Sequence, residues 1–239
     1  MPSVISLQNI SISRVSKPVL KNINIEIEYG DSVAVLGPNG AGKTTFLKVI
    51  NGLIKNNDRG TVKILGEQLN KHIKKHIGYI PQNNNFDVNM PVSVRDVISI
   101  GLTAQYGMLK KFTPFDKKSV EEIAKGLNIY HLIDKPIGQL SGGETQKVSI
   151  ARVLAQNPKL ILMDEPLSNL DNKTQTDILK LIDFIHTELN MTFVIVAHNL
   201  NQIPQCCNKV ILLHNGEIKF FDIKENAFKN NFFTELYNL

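Results

Sequence analysis

Two kinds of hydrophobic pattern run along the chain. Ile23, Ile25 and Ile27 fall on one side of a period of two, with Asn22, Asn24, Glu26 and Glu28 on the other. Ile5–Ile12 alternates in the same way. Both stretches predict strands with one face buried and one wet, as in antiparallel pairs. Val33–Leu36, Leu160–Met163 and Phe193–Ala197 are instead short unbroken apolar runs, the mark of strands covered on both faces. Helical spacing appears at Val120, Ile123, Ala124 and Leu127, and again at Ile178, Leu181, Ile182 and Ile185. Val94, Val97, Ile98 and Gly101 predict a further helix with Ser93 as its N-cap. Asn215-Gly216 between Val210–Leu213 and Glu217–Phe221 predicts a hairpin. A short terminal helix is expected after Phe221. The sum is one α/β unit over residues 1–239 with a helical lobe, about 92–156, inserted into a core lobe of about 1–91 and 157–239.

Composition narrows the class. The 239 residues suit one large domain, and 42% hydrophobic with 21% charged is ordinary for a soluble globular chain. The longest apolar runs, such as Thr192–Ala197, are far short of the ~18 residues that span lipid. Met1–Val4 lacks a basic segment leading into an apolar one, so no signal peptide is expected. Glycosylation-like triplets at Asn9, Asn172 and Asn190 carry no meaning without secretion. Cys206 and Cys207 are adjacent, which disfavours a bridge, and are expected to be inert thiols in a reducing compartment. The net charge of +5 is dispersed, so no nucleic-acid partner is expected. His72 and His76 stand four apart, but Lys71, Lys74 and Lys75 around them oppose a divalent ion, and an exposed polar face is expected there.

Three motifs carry chemistry. Gly37-Pro38-Asn39-Gly40-Ala41-Gly42-Lys43-Thr44 satisfies G-x-x-x-x-G-K-[ST] directly after a buried strand and at the start of a helix. Glycines let the backbone wrap so that successive N–H groups converge on phosphate oxygens, and the helix N-terminus adds positive potential. Lys43 is expected to reach the β- and γ-phosphates, Thr44 to ligate Mg²⁺, and Thr45 to support the α-phosphate. Leu160–Met163 ends in Asp164-Glu165 at the carboxyl edge of a strand, where open α/β sheets bind ligands. Asp164 is expected to hold the magnesium ion and Glu165 to polarise an attacking water. Ser141-Gly142-Gly143-Glu144 is, by itself, a capping box opening an amphipathic helix. Two glycines inside it each cost about 1 kcal/mol against alanine. They point to something that must approach the backbone closely, such as a second phosphate contact.

With these motifs in order, the sequence resembles the ATP-binding cassette (ABC) ATPases over nearly its whole length. The phosphate loop Gly37–Thr45 is followed by a Q-loop glutamine at Gln82, the signature Leu140–Glu144, the Walker-B pair Asp164 and Glu165, a D-loop Ser168–Asp171 and a switch histidine at His198. The resemblance implies a P-loop NTPase (RecA-like) core with an N-terminal antiparallel β-subdomain and an inserted helical lobe. It implies ATP and Mg²⁺ as cofactors. It also implies a homodimer formed on ATP binding, in which Ser141, Gly142 and Gly143 of one copy close over nucleotide on the other. By the same resemblance Gln82 contacts Mg²⁺ or water, His198 holds the γ-phosphate and fixes the water, and Asp171 couples the two sites. The chain departs from the family's usual pattern at Glu144, Lys147 and Asn199, and at Arg14, which stands where an aromatic residue generally stacks on adenine. A guanidinium plane can stack on a base, so Arg14 is a candidate for that role.

Such an ATPase passes its work to a partner. Ile77–Gln82, Asn85–Asp87, Pro91–Val97 and Asp134–Gly138 resemble the bacterial importers of zinc, manganese or iron. That resemblance implies a peripheral subunit at the cytoplasmic face of the inner membrane, bound to polytopic permease subunits and served indirectly by an extracytoplasmic solute-binding protein. Two other classes stay open: a soluble ABC ATPase acting on a cytosolic assembly such as an iron–sulfur scaffold, and a nucleotide-binding regulatory subunit that does not hydrolyse. Glu165 and His198 speak against the last. Co-purification with a membrane protein separates the first two.

Overall fold

In the computed structural model the described residues are 3–15, 17–54, 60–82, 91–107, 112–227 and 229. Two sheets organise them. The first has the order β2-β1-β4-β5, built from β1 (Ser3–Arg14), β2 (Lys17–Glu28), β4 (Thr61–Ile64) and β5 (Glu67–Gln68), all antiparallel. The alternation in β2 is realised directly: Ile23, Ile25 and Ile27 are buried and the residues between them exposed. The inner strand β1 departs from strict alternation, with Val4 to Leu7 all buried. Its register against β2 shifts four times, and Asn9 and Asn22 adopt positive φ of 53° and 47°. Each bulge turns the following side chains, so a single period cannot hold along the strand.

The second sheet has the order β10-β9-β3-β8-β7-β6. Its members are β3 (Ser32–Leu36), β6 (Ile77–Ile80), β7 (Leu160–Asp164), β8 (Thr192–Val196), β9 (Lys209–His214) and β10 (Glu217–Ile223). All neighbours are parallel except β9 and β10, which form the expected hairpin. Asn215 and Gly216 take φ of 51° and 81°, the left-handed pair that a tight two-residue hairpin turn requires. The unbroken apolar runs have a simple cause. Val33 and Val35 join one core with α1 (Lys43–Ile50) and the antiparallel sheet, while Ala34 and Leu36 join another on the opposite face. Both faces of the parallel sheet are covered, so no residue of β3, β7 or β8 can be polar for the sake of water.

Between β6 and β7 the chain forms α3 (Val94–Tyr106), α4 (Pro114–Gly126) and α5 (Gly142–Ala155). A four-residue α2 (Lys71–Lys74) precedes β6, and α6 (Asn172–Leu189) follows β7. Ser93 caps α3 with a reciprocal capping box through Asp96, and Thr113 does the same for α4 through Asp116. After β10 comes α7 (Lys224–Ala227); the remainder of the expected terminal helix, and the Asn85–Asp87 segment, lie outside the described residues. Cys206 and Cys207 are free thiols flanking the Ser32 hydroxyl, each at 3.4 Å. Among the described residues no helix is long and apolar enough to cross a membrane.

Candidate active site

The site lies at the carboxyl edge of the parallel sheet, where β3, β7 and β8 all end. β3 runs into the glycine-rich turn, and α1 opens at Lys43 with Gly42 as its N-cap at φ 103°. The Gly42 side of the helix carries no side-chain cap, so its first N–H groups are left for another acceptor. A cleft opens over this turn, lined by Asn39 to Thr45 together with Val19 of β2 and Glu165. Lys43 is buried and its Nζ donates to the carbonyls of Gly37 at 2.7 Å and Pro38 at 3.2 Å. Burial pushes the Lys43 ammonium below its ordinary value, while the charges of Glu165 and Asp164 hold it up.

β7 delivers both carboxylates. The Thr44 hydroxyl donates to Asp164 Oδ1 at 3.0 Å. Burial pushes the Asp164 carboxyl up, and the hydrogen bond from Thr44 opposes that shift. Glu165 follows with φ of 51°, a left-handed backbone uncommon for a residue with a side chain, at the point where the strand breaks off. Its Oε2 lies 2.6 Å from His198 Nε2 and also accepts a hydrogen bond from Gln82 Nε2. Gln82 lies beyond β6 and His198 beyond β8, the two strands that flank β7. Parallel strands in register thus bring two residues far apart in sequence, Gln82 and His198, onto one oxygen of Glu165.

Thr44 and Asp164 are hard oxygen donors held together, a pair suited to Mg²⁺, whereas the Gln82 amide is engaged with Glu165. Among the described residues there is no group of three or more His, Cys, Asp or Glu that could hold a metal ion. The donors therefore fit a cation that completes its shell with phosphate oxygens and water, as Mg²⁺ commonly does.

The other expected residues stand elsewhere. Ser141 caps α5: its N–H and hydroxyl donate to Glu144 Oε2 at 2.8 and 2.7 Å, which holds the Glu144 carboxyl below its ordinary value. Ser141 and Gly142 are exposed and are not among the residues lining the cleft. Within the chain the two glycines pack closely against the D-loop and the start of α6. A Cβ on Gly143 would come 2.4 Å from Thr174 Cγ2, and one on Gly142 would come 3.2 Å from Leu170 Cδ2. Asp171 is the N-cap of α6, accepting from the Thr174 N–H at 3.0 Å and hydroxyl at 2.6 Å. The signature turn and the D-loop are therefore packed against each other through Thr174. Arg14 is exposed at the end of β1, opposite Lys17, and does not line the cleft, whereas Val19 does. His72 and His76 meet edge to face at 5.4 Å.

Sequence reasoning missed two participants. Gly216, at the β9–β10 turn, donates its N–H to the Ala41 carbonyl at 3.2 Å and accepts from the Lys21 N–H at 2.8 Å. The hairpin thus ties the phosphate loop to β2; only its Asn-Gly signal was visible, not its docking. Tyr79 of β6 directs its hydroxyl toward Asp164 Oδ2 at 3.5 Å, and burial pushes the phenol above its ordinary value. Its partner is 85 residues away in sequence, and no local signal announces the contact.

A family model described as "ABC transporter" matches residues 20–168. The manganese transport system ATP-binding protein MntB of Halalkalibacterium halodurans is 35% identical over 92% of this chain and 86% of its own length. The high-affinity zinc uptake system ATP-binding protein ZnuC of Bacillus subtilis is 34% identical over 90% of this chain and 93% of its own. Among solved structures, a dimeric ATP-binding cassette in a post-hydrolysis state bound to ADP and Pi superposes with a TM-score of 0.77. It is 28% identical, covering 92% of this chain and 98% of the other. The P-loop cleft, the paired carboxylates at its edge and these likenesses together make the chain a member of the ABC transporter family, an ATP-binding, ATP-hydrolysing cassette subunit.

Proposed function

We propose that the chain energises the import of a divalent metal ion, zinc, manganese or iron, from the cytoplasmic face of the inner membrane. The observation that carries the hydrolytic part is the convergence of Gln82 and His198 on the Glu165 carboxylate beside the phosphate loop. Support for the metal comes from relatives named for manganese transport and zinc uptake. Those names also weigh against a soluble ATPase acting on an iron–sulfur scaffold.

In this scheme the N–H groups of Gly37, Pro38, Asn39, Gly40, Ala41 and Gly42, with Lys43, grip the β- and γ-phosphates, and Thr45 steadies the α-phosphate. Thr44, Asp164 and Gln82 would hold Mg²⁺, which would supply neutralisation of charge on the phosphate oxygens. Glu165 orients the attacking water and accepts its proton. His198 exchanges its contact with Glu165 for the γ-phosphate, which couples release of the base to arrival of fuel. Ser141, Gly142 and Gly143 of a second copy complete the cage and Asp171 links the two sites; Arg14, exposed at the end of β1 outside the phosphate cleft, is the candidate to stack on an adenine that reaches beyond Val19. The closing of the homodimer moves polytopic permease subunits, which receive the ion from an extracytoplasmic solute-binding protein.

The test is uptake into vesicles carrying the assembled complex. ATP-dependent accumulation of radiolabelled zinc, manganese or iron is the expected result. Vesicles that hydrolyse ATP in response to another solute and accumulate none of the three ions reject the substrate assignment.

A further inference from the structure

β6 and β7 run parallel with Tyr79 opposite Leu162 and Ile80 opposite Met163. Paired residues share a sheet face, and alternate residues along a strand do too. Tyr79, Leu162 and Asp164 therefore lie on one side, the side on which Leu162 packs in the same core as Phe46 of α1. A tyrosine is long enough to lean one step along the neighbouring strand, and its hydroxyl arrives 3.5 Å from Asp164 Oδ2. The Thr44 hydroxyl occupies the other oxygen, Oδ1, at 3.0 Å. Each oxygen of this buried carboxylate has its own hydroxyl, one from α1 and one from β6.

We propose that Tyr79 is a positioning residue for the metal-binding carboxylate: its hydroxyl fixes the rotation of Asp164 so that Oδ1 is presented to Thr44 and to the divalent cation. The proposal rests on the assignment of Asp164 and Thr44 to that cation. The physical reason is pre-organisation. A carboxylate that can turn about Cβ–Cγ spends part of its time with neither oxygen aimed at the cation, and binding must then stop that rotation. With Thr44 on one oxygen at 3.0 Å and the phenol in a longer contact with the other at 3.5 Å, that rotation is narrowed before the cation arrives. Strand β6 ends toward Gln82, so one short strand and its exit align both members of the carboxylate pair: Tyr79 holds Asp164, and Gln82 holds Glu165.

The test is Tyr79→Phe in the full-length protein, which keeps the ring in its packing and removes only the hydroxyl. Bound Mn²⁺ is counted by electron paramagnetic resonance in the presence of a non-hydrolysable ATP analogue, and analogue affinity is measured separately in EDTA. A single long hydrogen bond sets the scale, so Mn²⁺ affinity is expected to fall about three- to tenfold. The affinity for the analogue in EDTA should stay within about twofold, because the phosphate cradle is untouched. Unchanged Mn²⁺ affinity, or an equal fall in EDTA, overturns the proposal; the second result would mean that Tyr79 merely supports the packing of the loop. Asp164→Asn measured alongside separates the two levels. If it leaves Mn²⁺ affinity intact, the cation assignment itself falls; if it weakens Mn²⁺ while Tyr79→Phe does not, only the role of Tyr79 falls.

Discussion

The tie between the β9–β10 turn and the phosphate loop can be weighed with one substitution and a matched control. Gly216 has φ of 81° and follows Asn215 at 51°; Gly66 has φ of 80° and follows Leu65 at 56°. Alanine at either position pays the same left-handed backbone cost, about 1–2 kcal/mol. The surroundings differ. A Cβ on Gly66 meets nothing within 4 Å, whereas one on Gly216 comes 2.6 Å from the Val19 carbonyl oxygen and 3.0 Å from its carbon. Backbone atoms inside a sheet cannot swing aside as a flexible side chain can. Either the contact is tolerated, at about 1–3 kcal/mol for overpacking, or the turn withdraws. Withdrawal loses the bonds to Ala41 and Lys21, each contributing about 1 kcal/mol.

By either route Gly216→Ala should be about 2 kcal/mol less stable than Gly66→Ala. In a domain of this size that is about 4–8 °C in Tm by calorimetry. Because Ala41 belongs to the loop, Gly216→Ala should also weaken binding of a fluorescent ATP analogue, and Gly66→Ala should not. Equal melting temperatures for the two variants, with equal nucleotide affinity, would refute the idea that the hairpin braces the loop.

Lys43→Ala should lower nucleotide affinity at least about tenfold, since a charge-assisted bond contributes about 1.5–3 kcal/mol; equilibrium dialysis with radiolabelled ATP checks this. Glu165→Gln keeps the hydrogen-bonding shape but removes the base, so it should retain ATP and accumulate as a dimer on size-exclusion chromatography with light scattering. Normal turnover by that variant would contradict the role given to Glu165. The Ser141 hydrogen bonds hold the Glu144 carboxyl below its ordinary value, so their stabilisation is present above the unfolded-state value and is lost as pH falls through the lower, folded one. Glu144→Gln should therefore flatten the acid limb of a stability-against-pH curve, measured by urea unfolding at successive pH values; a limb as steep as that of the parent chain would count against it.

Much of the chemistry was legible because it is local. The phosphate loop is a contiguous string whose backbone does the binding, and its flanking strand and helix are read from neighbouring residues. The N-cap at Ser93, the capping box at Ser141 and the Asn215-Gly216 turn are likewise contracts between residues a few positions apart. The alternation that marked β2 and the unbroken runs that marked β3, β7 and β8 report directly how many faces of a strand are covered. The shorter strands β4, β5 and β6 span two to four residues each and leave too little periodicity to detect.

What the sequence by itself determined is therefore the identity of the parts: a phosphate-gripping turn, two acids at a strand end, a capped glycine pair, and a chain order resembling one family. Only the tertiary structure decided which parts touch. Strand order placed β6 and β8 on either side of β7, and so set Gln82 and His198 on Glu165 and Tyr79 beside Asp164. It put Val19 rather than Arg14 on the cleft wall, and it filled the space over Gly143 with Thr174. The reason is that hydrophobic periodicity records only whether a residue is covered. The neighbour that covers it follows from how sheets and helices stack, and that is settled by the packing of the whole chain.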